Sequence, residues 1–216
     1  MIEWIKSQWT HSGTALSAKG VIIVSTSPSM PAAYRNHGCR LRQYQHHGQR
    51  LLFLENDLLR VGVLVDKGAD IFEFLFKPVD TEFMLHTPWG MRRPAVQSIA
   101  STKWGSFLDT YEGGWQEILP NGGPPCSYKG VEFGLHGEIS TIPWQYRIEL
   151  DTEDEIRVTL EVRPFRIPLH LTKSLTLRRG EPVLAIEETL QNEGREPVEL
   201  MWGHHPAFGA PFLSPS

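Results

Sequence analysis

Four stretches in the second half of the chain alternate apolar with polar residues, and few folds accommodate that pattern. Tyr146, Ile148 and Leu150 share one face of a strand. Ile156, Val158, Leu160 and Val162 share a face of the next, and Asp151-Thr152-Glu153-Asp154 supplies the turn between them. Leu169, Leu171, Leu175 and Leu177 repeat the pattern, Arg179-Gly180-Glu181-Pro182 turns the chain, and Leu184, Ile186 and Leu190 answer it. Successive side chains on a strand point to opposite faces, so each pair reads as an antiparallel hairpin with one buried side. Residues 51–55, 59–65 and 71–76 predict a three-strand meander with corners at Asn56-Asp57 and Asp66-Lys67-Gly68. Outside the first twenty residues no run of ten or more follows a helical period. The expected fold is all-β, an antiparallel β-sandwich.

With 216 residues, 40% of them hydrophobic, the chain can bury a substantial core, and one domain is the expectation. Residues 49–216 are assigned to the sandwich and residues 1–48 to an N-terminal extension and linker, because Thr26-Ser27-Pro28-Ser29-Met30-Pro31 reads as a linker and residues 34–47 show no period. A net charge of -4 and the lack of any Lys/Arg run longer than two argue against nucleic acid. Cys39 and Cys126 are too few for a disulfide framework and have no zinc-like spacing. The start of the chain lacks a basic segment followed by an apolar stretch, and no uncharged span has membrane length. A soluble, cytoplasmic protein with no membrane partner is expected.

Residues 98–144 differ in kind. They carry Trp104, Trp115 and Trp144, the turn-rich Pro120-Asn121-Gly122-Gly123-Pro124-Pro125, and polar groups among aromatics. A long irregular segment within a compact domain is usually functional. Further on, Asn192 to Gly209 predicts a turn, an apolar strand, and then His204-His205-Pro206 where that strand ends.

The order of these pieces resembles the galactose mutarotase-like superfamily, the aldose 1-epimerases and their divergent relatives. Residues 54–61 through Lys67-Gly68-Ala69-Asp70-Ile71 are similar to its opening meander. Gly134-Leu135-His136-Gly137-Glu138 is similar to its first histidine motif, and residues 190–208 to its second. Gly113-Gly114-Trp115-Gln116-Glu117 followed by Pro120-Asn121-Gly122 resembles the divergent branch more than the galactose enzymes.

The resemblance implies an isomerase of carbohydrate metabolism, a mutarotase that interconverts the α and β anomers of a hexose or related sugar without a cofactor. Ring opening needs an acid at the ring oxygen and a base at the C1 hydroxyl. Histidine suits the acid because its pKa near 6.5 keeps both protonation states available at neutral pH. By the resemblance His205 is that acid, and His136 is the second catalytic-site histidine, holding the sugar near its ring oxygen. Trp115, Gln116, Glu117, Glu138 and His204 are the expected substrate-binding residues. His204 is expected on the opposite side of the strand from His205.

In the family the base is a glutamate well beyond the second histidine, and here eleven residues follow His205. The resemblance therefore implies a chain lacking the family's C-terminal part, or one that has lost the base, or one in which Glu117 or Glu138 replaces it. Open sheet edges would then favour a homodimer.

Blander readings accompany each residue. His205 suits a strand end stopped by Pro206, His136 an accessible turn, and Trp115 and Trp144 a core. Glu187-Glu188 reads as exposed charge, and His37 and His46-His47 lack a third ligand, so no metal is expected. A non-catalytic carbohydrate-binding module, a carbohydrate lyase or hydrolase, and an inactive fragment are the alternatives.

Overall fold

The computed structural model describes residues 34–91 and 105–213. Two antiparallel sheets face each other. The larger holds β1 (Arg40–His46), β2 (Gln49–Glu55), β3 (Leu59–Leu64), β4 (Asp70–Phe76), β6 (Trp115–Ile118) and β13 (Gly203–Pro206) in that order, with the short β5 (Thr81–Glu82) paired to β4. The smaller runs β12 (Leu184–Asn192), β11 (Leu169–Arg178), β10 (Glu155–Val162), β9 (Gln145–Asp151). A separate hairpin joins β7 (Cys126–Tyr128) to β8 (Val131–Phe133). Among the described residues the helical elements include α1 (Gly105–Leu108) and the single 3₁₀ turns Lys77–Val79 and Ile139–Thr141.

The all-β sandwich read from the sequence is the observed architecture, and the alternation explains it. In β10 Ile156, Val158, Leu160 and Val162 are buried in strict alternation with partly exposed residues. In β11 Leu169, Leu171, Leu175 and Leu177 are buried on the same face. These side chains meet Leu52, Leu54, Val61, Val63 and Ile71 of the larger sheet in one continuous core. Each such burial contributes about 1.5–3 kcal/mol. Trp144 is 1% exposed within this core and donates its indole N–H to the Ile139 carbonyl at 3.0 Å, so its faces are packed against protein.

The sequence-based boundary at residue 49 needs correction, because β1 pairs with β2 from Arg40 opposite Glu55 to His46 opposite Gln49. It is an edge strand, exposed along much of its length, so it carries no strong alternation. The N-terminal residues 1–33 and Trp104 lie outside the described residues. The stretch expected to be irregular contains β6 and the β7–β8 hairpin, and the apolar strand expected before the histidines is absent. Residues 195–202 belong to no strand, and the histidines themselves lie in β13.

Candidate functional site

Strand β13 divides the expected site residues between two faces. His205 pairs with Gln116 and His204 with Glu117 across β6. Because side chains alternate, His205 and Gln116 share the outer face of the larger sheet, and His204, Glu117 and Trp115 share the face turned toward the smaller sheet.

On the outer face the rings of His205 and His136 lie 5.0 Å apart between centroids. Phe107 sits edge-on to both, at 4.7 Å from His136 and 5.8 Å from His205, and Tyr111 closes a further side at 6.0 Å from His205. His136 reaches this place on a turn. Its own φ is 59°, and its N–H donates to the Gly123 carbonyl at 3.0 Å. Asn121 braces the loop that supplies this carbonyl, donating to the backbone oxygens of Pro124 at 3.2 Å and Gly134 at 3.0 Å. Gly137 follows with φ 79°, and a Cβ there would come 2.0 Å from the Leu119 carbonyl oxygen, so only glycine lets the turn press onto the end of β6. Burial, then the neighbouring His205, lowers the pKa of His136. Nδ1 of each imidazole is buried without a hydrogen-bond partner.

Beside the histidines lies a buried polar cluster that sequence reasoning missed. The Lys67 ammonium bonds Asp70 Oδ2 at 2.5 Å and Glu112 at 2.8 Å, and all three side chains are almost fully enclosed. Burial pushes the Asp70 pKa up to about 8, with Lys67 opposing and Glu112 adding to the rise. For Lys67 burial opposes the charge, yet Asp70 and Glu112 outweigh it and raise its pKa. Gln116 Nε2 donates to Asp70 Oδ2 at 3.3 Å and to the Gly113 carbonyl. Asp66-Lys67-Gly68 reads as a surface corner, which concealed the buried cation there.

The inner face holds a second cluster. Lys173 lies 3.1 Å from Glu117 and stands over the Trp144 ring at 4.7 Å. Trp202 donates to Glu117 at 2.7 Å, His204 Nε2 meets Glu188 at 3.1 Å, and Trp115 donates to His204 Nδ1 at 3.0 Å. An indole N–H can only donate, so Nδ1 carries the lone pair and Nε2 the proton facing Glu188. The ring is neutral in this arrangement, although the Glu188 bond raises its pKa against burial. Burial raises the pKa of Glu117, with Lys173 opposing. For Glu188, read from the sequence as exposed charge, burial is outweighed by its bonds to His204 and Glu117, which lower the pKa. Ligand atoms of Glu117, Glu188 and His204 lie within 4.8 Å of one another, a spacing a divalent cation could bridge, but Lys173 already supplies positive charge and Trp115 occupies the far nitrogen of the imidazole.

The structure thus brings together His205, His136 and Gln116. It sets Trp115, Glu117 and His204 on the opposite face. Glu138 belongs to neither group: it is buried, accepts from the Arg166 backbone N–H at 3.0 Å, and burial raises its pKa. Among the described residues no helix is long and apolar enough to cross a membrane.

Comparison with solved structures places the fold. A candidate aldose 1-epimerase from Klebsiella pneumoniae superposes with a TM-score of 0.69 at 18% identity, covering 83% of this chain and 50% of that one. A galactose mutarotase-like protein from Clostridium acetobutylicum gives 0.58 at 11% identity, covering 83% and 56%. The architecture is therefore the galactose mutarotase-like sandwich, and this chain spans about half the length of those proteins. No curated protein sequence matches it. The family profile described as a domain of unknown function, DUF4432, matches residues 46–216, and the chain accordingly belongs to the DUF4432 family.

Proposed function

We propose that the outer face of the larger sheet is the sugar site of an aldose 1-epimerase-like protein, with His205 as general acid at the ring oxygen and His136 as the group that orients the sugar. The observation that carries this is the facing pair of imidazoles, each with a buried, unpartnered Nδ1. Two such rings cannot both hold a proton without mutual repulsion. The lowered pKa of His136 keeps it neutral and able to accept from a hydroxyl. Phe107 and Tyr111 supply aromatic walls for the apolar face of a pyranose. Similarity of fold to a candidate aldose 1-epimerase supports the reaction class but not the substrate.

A second reading, a non-catalytic sugar-binding module, is favoured by one observation. Glu117 and Glu138, the carboxylates expected to replace the base, are turned to Lys173 and Arg166 rather than to the imidazoles. Saturation-transfer NMR on glucose and galactose with the full chain separates the readings. Accelerated anomer exchange that disappears in His205→Ala supports the epimerase, and sugar binding without acceleration supports the module.

A further inference from the structure

His136 stands on its turn with a backbone φ of 59°, in the left-handed region. A residue with a Cβ keeps that conformation only where its surroundings hold it there. Three backbone bonds dock the turn. His136 N–H donates to the Gly123 carbonyl at 3.0 Å, Gly137 N–H to the Gly134 carbonyl at 3.2 Å, and Glu138 N–H to the Leu119 carbonyl at 3.1 Å. The first of these reaches a loop that opens with Gly122-Gly123, and two glycines contribute no side chain to anchor it.

The side chain of Asn121 ties that loop to the turn. It is only 6% exposed. Its Nδ2 lies 3.0 Å from the Gly134 carbonyl on the turn, and 3.2 Å and 3.5 Å from the Pro124 and Gly123 carbonyls on the loop. Carbonyl oxygens can only accept, so the amide nitrogen must face them, and the reversed amide would set oxygen against oxygen at all three. This orientation leaves Oδ1 buried without a partner, and the amide keeps it all the same.

We propose that Asn121 is a positioning residue for His136: by clasping the Gly123 and Pro124 carbonyls to that of Gly134, it fixes the turn from which the imidazole meets His205 and the sugar. This rests on reading His136 as the group that orients the sugar. The seat so fixed puts the His136 ring 5.0 Å from His205 of β13 and 4.7 Å from Phe107. Burial and then His205 lower the pKa of His136 in that seat, against the Gly122 carbonyl, so its titration reports whether the ring is still in place.

Proton NMR titration of the histidine rings in the full chain tests this without any turnover, with His136 assigned by its loss in His136→Gln. Asn121→Ala removes both donors. Asn121→Asp keeps the shape but turns oxygen toward the three carbonyls. In both, the His136 pKa is expected to rise toward the ordinary 6.5, further in the aspartate variant because of its added charge, while the ring signals of His170 stay in place. Affinity for glucose or galactose is expected to fall about fivefold in the alanine variant, the worth of one neutral hydrogen bond. A lower unfolding midpoint with an unchanged His136 titration would make Asn121 a purely structural residue and overturn the proposal. Should neither variant fold, the side-chain amide protons of Asn121 in the unaltered chain decide: slow exchange with solvent supports the clasp, and exchange as fast as that of a free amide overturns it. Failure of the sugar reading is distinct, since it would show as an unaltered chain that binds neither sugar while the His136 response persists.

Discussion

His136 and His205 face each other with ring planes tilted by 50°, one carried by a left-handed turn and the other by a strand. The two are held by unrelated parts of the backbone. Their spacing therefore depends on the docking of the 134–138 turn onto β6 as much as on the sheet itself.

Replacing His205 by alanine is expected to cut anomer exchange by about 10²–10⁴-fold, the usual contribution of a positioned acid. His204→Ala, which acts on the other face, should leave exchange unchanged. Saturation-transfer rates on the same sugar compare the two. Equal losses would sink the assignment of faces to functions.

Asp70 makes stability depend on pH with a defined sign. Its carboxyl titrates at about 8 in the fold, against an ordinary value of 3.8, so the folded chain holds the extra proton between those limits. Unfolding free energy is then expected to fall as pH rises from about 4 to 8, by no more than about 1.4 kcal/mol per pH unit. Urea unfolding across that window measures the slope, and Asp70→Asn should flatten it.

Lys67→Met removes the cation from between two enclosed carboxylates. The expected cost is about 3–5 kcal/mol, since an uncompensated buried charge is left behind. Denaturant midpoints at neutral pH provide the check, and a loss below about 1 kcal/mol would mean that water reaches the cluster.

Gly137→Ala should cost on the order of 2 kcal/mol, because a left-handed φ and a contact of 2.0 Å with the Leu119 carbonyl must both be relieved. The histidine resonances of His136 should shift in the same variant while those of the distant His170 stay in place.

The sandwich was legible where period-two alternation is strong. Strands β10 and β11 are lined by leucine, isoleucine and valine on one face, and the hairpins around them could be read directly. Edge strand β1 could not, because exposure on both sides removes the pattern. The histidines and Gln116 were legible as residues, but the division of the remaining candidates between two faces required the register of β6 against β13. Lys67 was hidden by a turn-like context. Lys173 had left a signal: it interrupts a row of leucines at a core-facing position, Leu169, Leu171, Lys173, Leu175, Leu177, and a charge there calls for a buried counter-charge, found in Glu117. Glu188 offered none, because a glutamate pair within a strand reads equally well as surface.

The four-residue length of β13 carries a consequence for engineering and for divergence. Its pairing with β6 determines which imidazole meets the solvent-side aromatic walls, so the unpaired segment 195–202 acts as a ruler. Deleting one residue from that segment and re-pairing the strand one step along would exchange the roles of His204 and His205. Deleting two would restore the parity but move both rings along the sheet. Grafts and loop variants in this protein therefore tolerate changes on either side of the histidine motif only if they preserve both the count and its parity.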